Sequence, residues 1–70
     1  MEIVYTRHAE KQIKERKIQK VWVEETAKFP DVTNRVGHKY YAIKKLNGIT
    51  LKVVYVKENY LKITTSYIIT

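Results

Sequence analysis

A chain of 70 residues can enclose only one modest hydrophobic core, which predicts a single domain over residues 1–70. With 44% hydrophobic residues, 30% charged residues, two glycines and no cysteine, the composition excludes intrinsic disorder, disulfide staples and thiolate metal sites, and it fits a reducing compartment. The net charge of +7 favours a polyanion partner such as RNA, and +5 of it falls in residues 36–70, where six lysines stand against Glu58 alone.

The first segment, Glu2 to Tyr5, is rich in β-formers and predicts a short strand. It lacks the basic flank and apolar run of a signal peptide, and no later run approaches the roughly 20 apolar residues that cross a bilayer. We therefore expect a cytoplasmic protein with no membrane partner. Thr6 is a candidate N-cap for a helix over residues 7–17, in which Ala9 and Ile13 lie four apart on an apolar stripe.

A second amphipathic helix is predicted before Pro30, with Trp22 as its core anchor. Its apolar face is indicated by spacings of three and four between Ile18, Val21, Trp22, Glu25 and Phe29. The junction at Lys17 and Ile18 contains no glycine, so one bent helix is an alternative to two separate helices.

After Pro30, β-branched and aromatic residues alternate with turn residues, which predicts antiparallel strands. Gly37-His38 and Asn47-Gly48 suit two-residue hairpin turns. A three-residue loop over residues 57–59, with Asn59 in the left-handed conformation, suits the last connection. The predicted strands are Asp31–Val36, Lys39–Leu46, Ile49–Val56 and Tyr60–Ile69.

These elements give an α+β fold class: a short N-terminal strand and two helices packed on one face of an antiparallel sheet of three to four strands. With the predicted loops, the helix-covered face contains Tyr67 and one lysine, Lys44. Lys44 is either an active-site lysine or a side chain that reaches solvent at the sheet edge. The opposite face of the sheet is predicted to be exposed to solvent and basic.

Lysines interleaved with tyrosines are typical of a surface that binds RNA, because lysines contact phosphates and tyrosines stack on unpaired bases. The predicted RNA-binding residues are Lys39, Tyr41, Lys44, Lys45, Lys52, Tyr60 and Lys62. The alternative is that the lysines only keep the sheet edges from aggregating and the protein soluble.

A polar ridge is predicted on the first helix, where His8, Gln12 and Arg16 fall four apart. An imidazole and a guanidinium on one ridge can hold and protonate a phosphate-bearing substrate. The alternative is a His8 that satisfies a local carbonyl and an Arg16 in a surface ion pair. No metal-ligand spacing, glycine-rich phosphate loop or nucleophile elbow is present, so we expect neither a metal nor a cofactor.

Five short motifs follow one another along nearly the whole chain: Thr6-x-His8-Ala9, Glu15-Arg16-Lys17-Ile18, Phe29-Pro30-Asp31, Leu51-x-Val53-Val54-Tyr55 and Ile63-Thr64-Thr65-Ser66-Tyr67. In this order they resemble a family of small uncharacterised prokaryotic domains related to the RelE/ParE and BrnT toxins. Members of that family usually read Glu-Arg-Gly-Ile between the helices, so Lys17 stands here in the place of a glycine.

The resemblance implies a RelE/ParE-like fold and a superfamily that includes metal-independent endoribonucleases, which act by attack of the 2′-hydroxyl on the scissile phosphate. Carried over to this chain, it implies His8, Arg16 and Tyr67 as catalytic residues. It also implies an antitoxin protein as a partner, and a homodimer is a further expectation. The late-strand arginine of active toxins is absent, because Arg35 is the last arginine. The alternative is therefore a non-catalytic module that binds nucleic acid or protein on the same scaffold.

Overall fold

The computed structural model describes residues 2–69, which form two helices and one five-stranded sheet. In chain order the elements are β1 (Ile3–Tyr5), α1 (Arg7–Glu15), α2 (Lys20–Lys28), β2 (Val32–Val36), β3 (Lys39–Leu46), β4 (Ile49–Lys57) and β5 (Leu61–Ile68). The α+β class and the two separate helices are confirmed, and the alternative of one bent helix is wrong.

The sheet is mixed, with the strand order β1-β5-β4-β3-β2. β1 lies parallel to β5, whereas the other neighbouring strands are antiparallel. Backbone hydrogen bonds fix this pairing, because the Leu61 amide donates to the Glu2 carbonyl and the Thr6 amide donates to the Ile63 carbonyl. The antiparallel pairing of β2 to β5 is therefore as predicted, but the sheet has five strands rather than three to four. The N-terminal strand joins the sheet as a fifth, parallel member.

α1 begins and ends at well-defined caps. The Thr6 hydroxyl accepts a hydrogen bond from the Ala9 amide at 3.0 Å, which confirms the predicted N-cap. Ala9 and Ile13 are buried, as their spacing predicts. At the other end the Ile18 amide donates to the Ile13 carbonyl in a Schellman motif, and Lys17 takes the left-handed position with φ of 55°.

Lys17 holds a backbone conformation that favours glycine. We expect Lys17→Gly to raise the free energy of unfolding by about 1 kcal/mol, because a β-carbon in the left-handed region costs about that much. Urea unfolding measures the change. Lys11→Gly, at an exposed position inside α1, is the matched control and should lower the free energy of unfolding by about 1 kcal/mol. A loss of stability in Lys17→Gly would contradict the left-handed turn.

α2 buries a different stripe from the one that the sequence predicted. Val21 and Phe29 are 61% and 68% exposed, whereas Trp22 is partly buried and packs against the core as predicted. Ile18 is buried as predicted, although it lies before the helix, whereas Phe29 is exposed because it is the non-helical C-cap. The buried residues of α2 are Val23, Thr26 and Ala27.

Both predicted two-residue hairpin turns are confirmed. Gly37 has φ of 61° while His38 is not left-handed, which is the pattern of a type II′ turn. Asn47 and Gly48 have φ of 44° and 86°, and a type I′ turn requires positive φ at both positions. These turns fix the register of β2, β3 and β4.

The connection from β4 to β5 has three residues, as predicted, but they are 58–60. Asn59 is not in the left-handed conformation, so that part of the prediction is wrong. The Glu58 amide donates instead to the Tyr60 carbonyl at 2.8 Å. Tyr60 therefore lies in the loop, because β5 begins only at Leu61.

A β-bulge in β5 changes which side chains share a face. Ile63 and Thr65 pair with consecutive residues of β4, so Thr64 between them has no partner there. Residues beyond the bulge point the opposite way from an unbroken alternation. Ser66 consequently lies buried on the side of the helices, and Tyr67 lies on the opposite side. The predicted placement of Tyr67 on the core face is wrong.

The hydrophobic core lies between the helices and one face of the sheet, which we call the helix side. α1 packs on β5 and β1, and α2 packs on β4 and β3. The core residues are Ala9, Ile13, Ile18, Val23, Ala27, Ala42, Leu46, Leu51, Val53, Tyr55, Leu61 and Ile63. The other surface of the sheet, which we call the outer face, is not covered by either helix.

A polar cluster joins β1 to both helices. The Tyr5 hydroxyl donates to a Glu24 carboxylate oxygen at 2.8 Å, and the Lys20 ammonium lies 4.7 Å from the centroid of the Tyr5 ring. Lys20 also forms an ion pair with Glu10 at 2.6 Å. Burial, followed by the hydrogen bond and negative charge of Glu24, raises the pKa of Tyr5 well above the usual tyrosine value.

The raised pKa of Tyr5 predicts a loss of stability in alkali. Above about pH 10 the unfolded chain releases the Tyr5 proton while the folded chain retains it, so the free energy of unfolding falls as the pH rises. Tyr5→Phe has no such proton and should show a shallower decline. Urea unfolding over a series of alkaline pH values measures both slopes. Identical slopes in the two proteins would rule out this contribution.

Candidate nucleic-acid interface

The outer face consists of the side chains that β2 to β5 direct away from the helices. Strand alternation and the observed register assign them. Over the described length of these strands, the outward positions hold four lysines, two tyrosines and no acidic residue: Val32, Asn34, Val36, Lys39, Tyr41, Ile43, Lys45, Thr50, Lys52, Val54, Val56, Lys62, Thr65 and Tyr67. Every charged side chain among these positions is therefore positive.

Tyr41, Lys52 and Tyr67 form a row across β3, β4 and β5, which we call the Tyr-Lys-Tyr row. The Lys52 ammonium lies 5.5 Å from the centroid of the Tyr41 ring and 5.8 Å from that of Tyr67. Both distances are within reach of a cation–π interaction. Lys52 lies directly opposite Tyr67, and Tyr41 is its diagonal neighbour on β3. The row presents two aromatic rings with a cation between them.

Three further lysines flank the Tyr-Lys-Tyr row. Lys45 lies on β3 near the turn to β4, and Lys39 lies at the opposite end of β3. These two residues are six positions apart, which is about 20 Å along a strand. Lys39 and Lys62 both lie opposite Val56, one on each neighbouring strand. The positive charge therefore extends over the whole length of the central strands.

A groove of about 600 Å³ brings Arg16 and Tyr67 together beside the C-terminal half of β5. Among the described residues β1 pairs with Leu61–Ile63, and the edge of β5 beyond them has no neighbouring strand there. Side chains from α1 and from its C-cap residue bind backbone groups of this edge: Arg16 Nη1 donates to the Ser66 carbonyl at 3.0 Å, and Gln12 Oε1 accepts from the Ser66 amide at 3.3 Å. The lining residues are Gln12, Arg16, Thr65, Tyr67 and Ile68.

Comparison with known protein families gives one match. A family model described as "Domain of unknown function (DUF4258)" matches residues 5–70. The chain belongs to the DUF4258 family. This match confirms the expected small uncharacterised domain family, whereas kinship with the RelE/ParE and BrnT toxins stays a prediction. No curated protein and no solved structure gives a significant match.

The DUF4258 domain brings five of the predicted RNA-binding residues onto one surface, because Lys39, Tyr41, Lys45, Lys52 and Lys62 all lie on the outer face. It does not bring Lys44 there. The Lys44 ammonium lies on the helix side, where it donates to the Phe29 carbonyl at 2.7 Å and lies 3.6 Å from Glu25. Lys44 thus ties β3 to the end of α2.

Of the three predicted catalytic residues, Arg16 and Tyr67 line the same groove and His8 does not. His8 is exposed on α1, one turn before Gln12. The predicted ridge is therefore divided, since Gln12 and Arg16 bind the backbone of Ser66 and His8 lies outside the groove. Sequence reasoning missed Thr65 and Ile68 as lining residues, because the bulge at Thr64 decides which way they point.

Within residues 2–69 no group of three or more histidine and acidic side chains could hold a metal ion. Neither helix of this part of the chain is long and apolar enough to cross a membrane. The outer face and the groove present lysine, arginine and tyrosine side chains. These groups bind phosphates and stack on bases.

Proposed function

We propose that this DUF4258 domain binds single-stranded RNA on its outer face. The Tyr-Lys-Tyr row carries the proposal. Two tyrosine rings on one surface offer stacking platforms for unpaired bases, and the Lys52 ammonium between them offers a contact for the connecting phosphate. The expected compartment is the cytoplasm, where single-stranded RNA is available.

The position of Lys52 argues against a role in solubility alone. Lysines that protect a sheet from aggregation belong on its edge strands. Lys52 lies on β4, the middle strand of the sheet, and its neighbours on both sides are paired strands. A lysine held over two aromatic rings at the centre of an uncovered face is better explained by a ligand that covers this face.

The distribution of ion pairs supports the same surface. Both ion pairs among the described residues, Lys20 with Glu10 and Lys44 with Glu25, lie on the helix side. The outer-face lysines have no carboxylate within ion-pair distance in that part of the structure. The outer face therefore carries four lysines beside two tyrosines and no carboxylate among its described residues, which suits a polyanion that contributes both phosphates and bases.

Binding of a fluorescent single-stranded oligouridylate, measured by anisotropy over a salt series, tests the proposal. Lys52→Ala should weaken binding and lower the slope of log affinity against log salt by about 0.7, the value expected for one lost phosphate contact. Lys28→Ala is the matched control, because it removes the same charge from an exposed position on α2. Equal losses in both variants would show that only net charge matters and would overturn the assignment to the outer face.

A second candidate function is metal-independent RNA cleavage, favoured by the groove that Arg16 and Tyr67 share. In this reaction the 2′-oxygen bonds to phosphorus and loses its proton, while the bond to the 5′-oxygen breaks and that oxygen gains a proton. Arg16 would stabilise the charge on the phosphate and Tyr67 would protonate the leaving oxygen. The lining offers no base for the 2′-proton, so the geometry supports binding better than cleavage.

Incubation of total RNA with the purified protein and EDTA tests cleavage. Cleavage that disappears in folded Arg16→Ala and Tyr67→Phe variants would establish the reaction and its groove. His8→Ala should leave it unchanged, since His8 lies outside the groove. A toxin role with an antitoxin partner would require in addition that expression of the protein alone arrests growth. RNA that binds tightly and stays intact would eliminate this candidate.

A further inference from the structure

β2 is an edge strand with an unpaired side. All five of its residues are exposed, and Val32 and Val36, which point to the outer face, are 52% and 67% exposed. Alternate residues of an edge strand direct N–H and C=O groups away from the sheet and form a template for another strand. At the opposite edge β1 has three residues, and Gln12 and Arg16 occupy the Ser66 backbone of β5 beyond it.

The usual protections of an edge strand are missing from β2. The strand contains no proline, no lysine and no bulge. Its one charged residue, Arg35, is folded back, with Nε donating to the Gly37 carbonyl and the guanidinium carbon 5.6 Å from the centroid of the Tyr40 ring. The preceding Asp31 is also engaged, because its carboxylate accepts from the Lys45 amide. Neither the Arg35 guanidinium nor the Asp31 carboxylate therefore blocks the free edge of β2.

We propose that β2 pairs antiparallel with β2 of a second copy of this chain, centred on Asn34. The sequence Val-Thr-Asn-Arg-Val is self-complementary in this register, since Val32 of each copy lies opposite Val36 of the other, and two isologous apolar pairs form. Arg35 lies opposite Thr33 of the second copy, so the two arginines are not directly opposed. Arg35 also stays on an uncovered surface, so pairing buries no charge.

The two-fold axis of this pairing runs perpendicular to the sheet. Directly opposite residues of paired strands project from the same face, so the outer faces of the two copies become one surface of a ten-stranded sheet. Each copy carries a charge of +7, and repulsion opposes the pairing at low salt. Salt, or a bound polyanion, should therefore promote it. Promotion by a bound RNA rests on the proposed function, whereas the pairing itself does not.

Single cysteines test the register directly, because the chain has no cysteine of its own. Asn34→Cys places two thiols opposite each other across the axis, with Cα atoms within about 4.5–5.5 Å, a separation that a disulfide spans. We expect Asn34→Cys to form a disulfide dimer quickly under mild oxidation in moderate salt. Val32→Cys and Val21→Cys, both exposed, should cross-link at least about tenfold more slowly, because their thiols lie away from the axis. Equal rates at the three positions would overturn the proposal.

Sedimentation of the cysteine-free protein tests the pairing without oxidation. The native chain should show a concentration-dependent dimer that increases with salt, and Val36→Lys should raise the dimer dissociation constant by about tenfold or more through the loss of both apolar pairs. Val21→Lys adds the same charge at a similarly exposed position and should have little effect. A native protein that stays monomeric at all salt concentrations would overturn the proposal. Oligouridylate binding by monomeric Val36→Lys shows separately whether the proposed function holds.

Discussion

Leu51→Ala should lower the free energy of unfolding by about 3–4 kcal/mol. Leu51 is 0% exposed on β4, the middle strand, where it packs beneath the helices. Truncation of a buried leucine removes the transfer free energy of the lost methyl groups and leaves a cavity, with measured effects of about 2.7–5 kcal/mol. A domain of this size has a total stability of only about 4–10 kcal/mol, so a large fraction is lost.

Urea unfolding followed by circular dichroism measures this effect. Val21→Ala is the control, because Val21 is 61% exposed and its truncation should change the stability by less than about 0.5 kcal/mol. The comparison also tests which face of the sheet the helices cover, since Leu51 and Lys52 point in opposite directions. A Leu51→Ala variant as stable as Val21→Ala would mean that the helices do not pack on the Leu51 side. The assignment of Lys52 to an uncovered outer face would then be wrong.

Local chemistry made much of the fold predictable. The Asn47-Gly48 and Gly37-His38 turns were recognisable because positive φ at defined positions selects these residue types. Thr6 is recognisable as an N-cap because its hydroxyl can accept a hydrogen bond from an amide of the first helical turn. The parallel pairing of β1 with β5 is not predictable in this way, because it joins residues nearly sixty positions apart and no short-range signal specifies such a partner. Long-range pairing follows from packing of the whole chain.

The bulge at Thr64 decided how much of the candidate interface could be foreseen. Lys39, Tyr41 and Lys52 lie on strands whose register the hairpin turns fix, so their common face was predictable. The sequence predicts the wrong face for Tyr67, because Thr64, Thr65 and Ser66 are small hydroxyl residues that suit either side of a sheet. Because no alternation of apolar and polar residues marks the register here, the sequence contains no signal for the bulged Thr64.

The Tyr-Lys-Tyr row leads to the largest expected effect on binding. Tyr41→Ala and Tyr67→Ala should each weaken the binding of single-stranded RNA by about tenfold or more, because stacking of a base on an aromatic side chain contributes about 1–3 kcal/mol. The double variant should lose less than the product of the two factors, since Lys52 contacts both rings and couples them. Fluorescence anisotropy at a fixed salt concentration measures these losses.

Tyr41→Phe and Tyr67→Phe are the matched controls, because they keep the ring and remove only the hydroxyl. Both should bind RNA nearly as well as the native chain if stacking is the source of the affinity. Phenylalanine variants as weak as the alanine variants would assign the affinity to the hydroxyls and contradict the stacking role. Tyr67→Phe also separates the two candidate functions, since it retains the stacking ring of the outer face and lacks the proton that cleavage in the Arg16 groove requires.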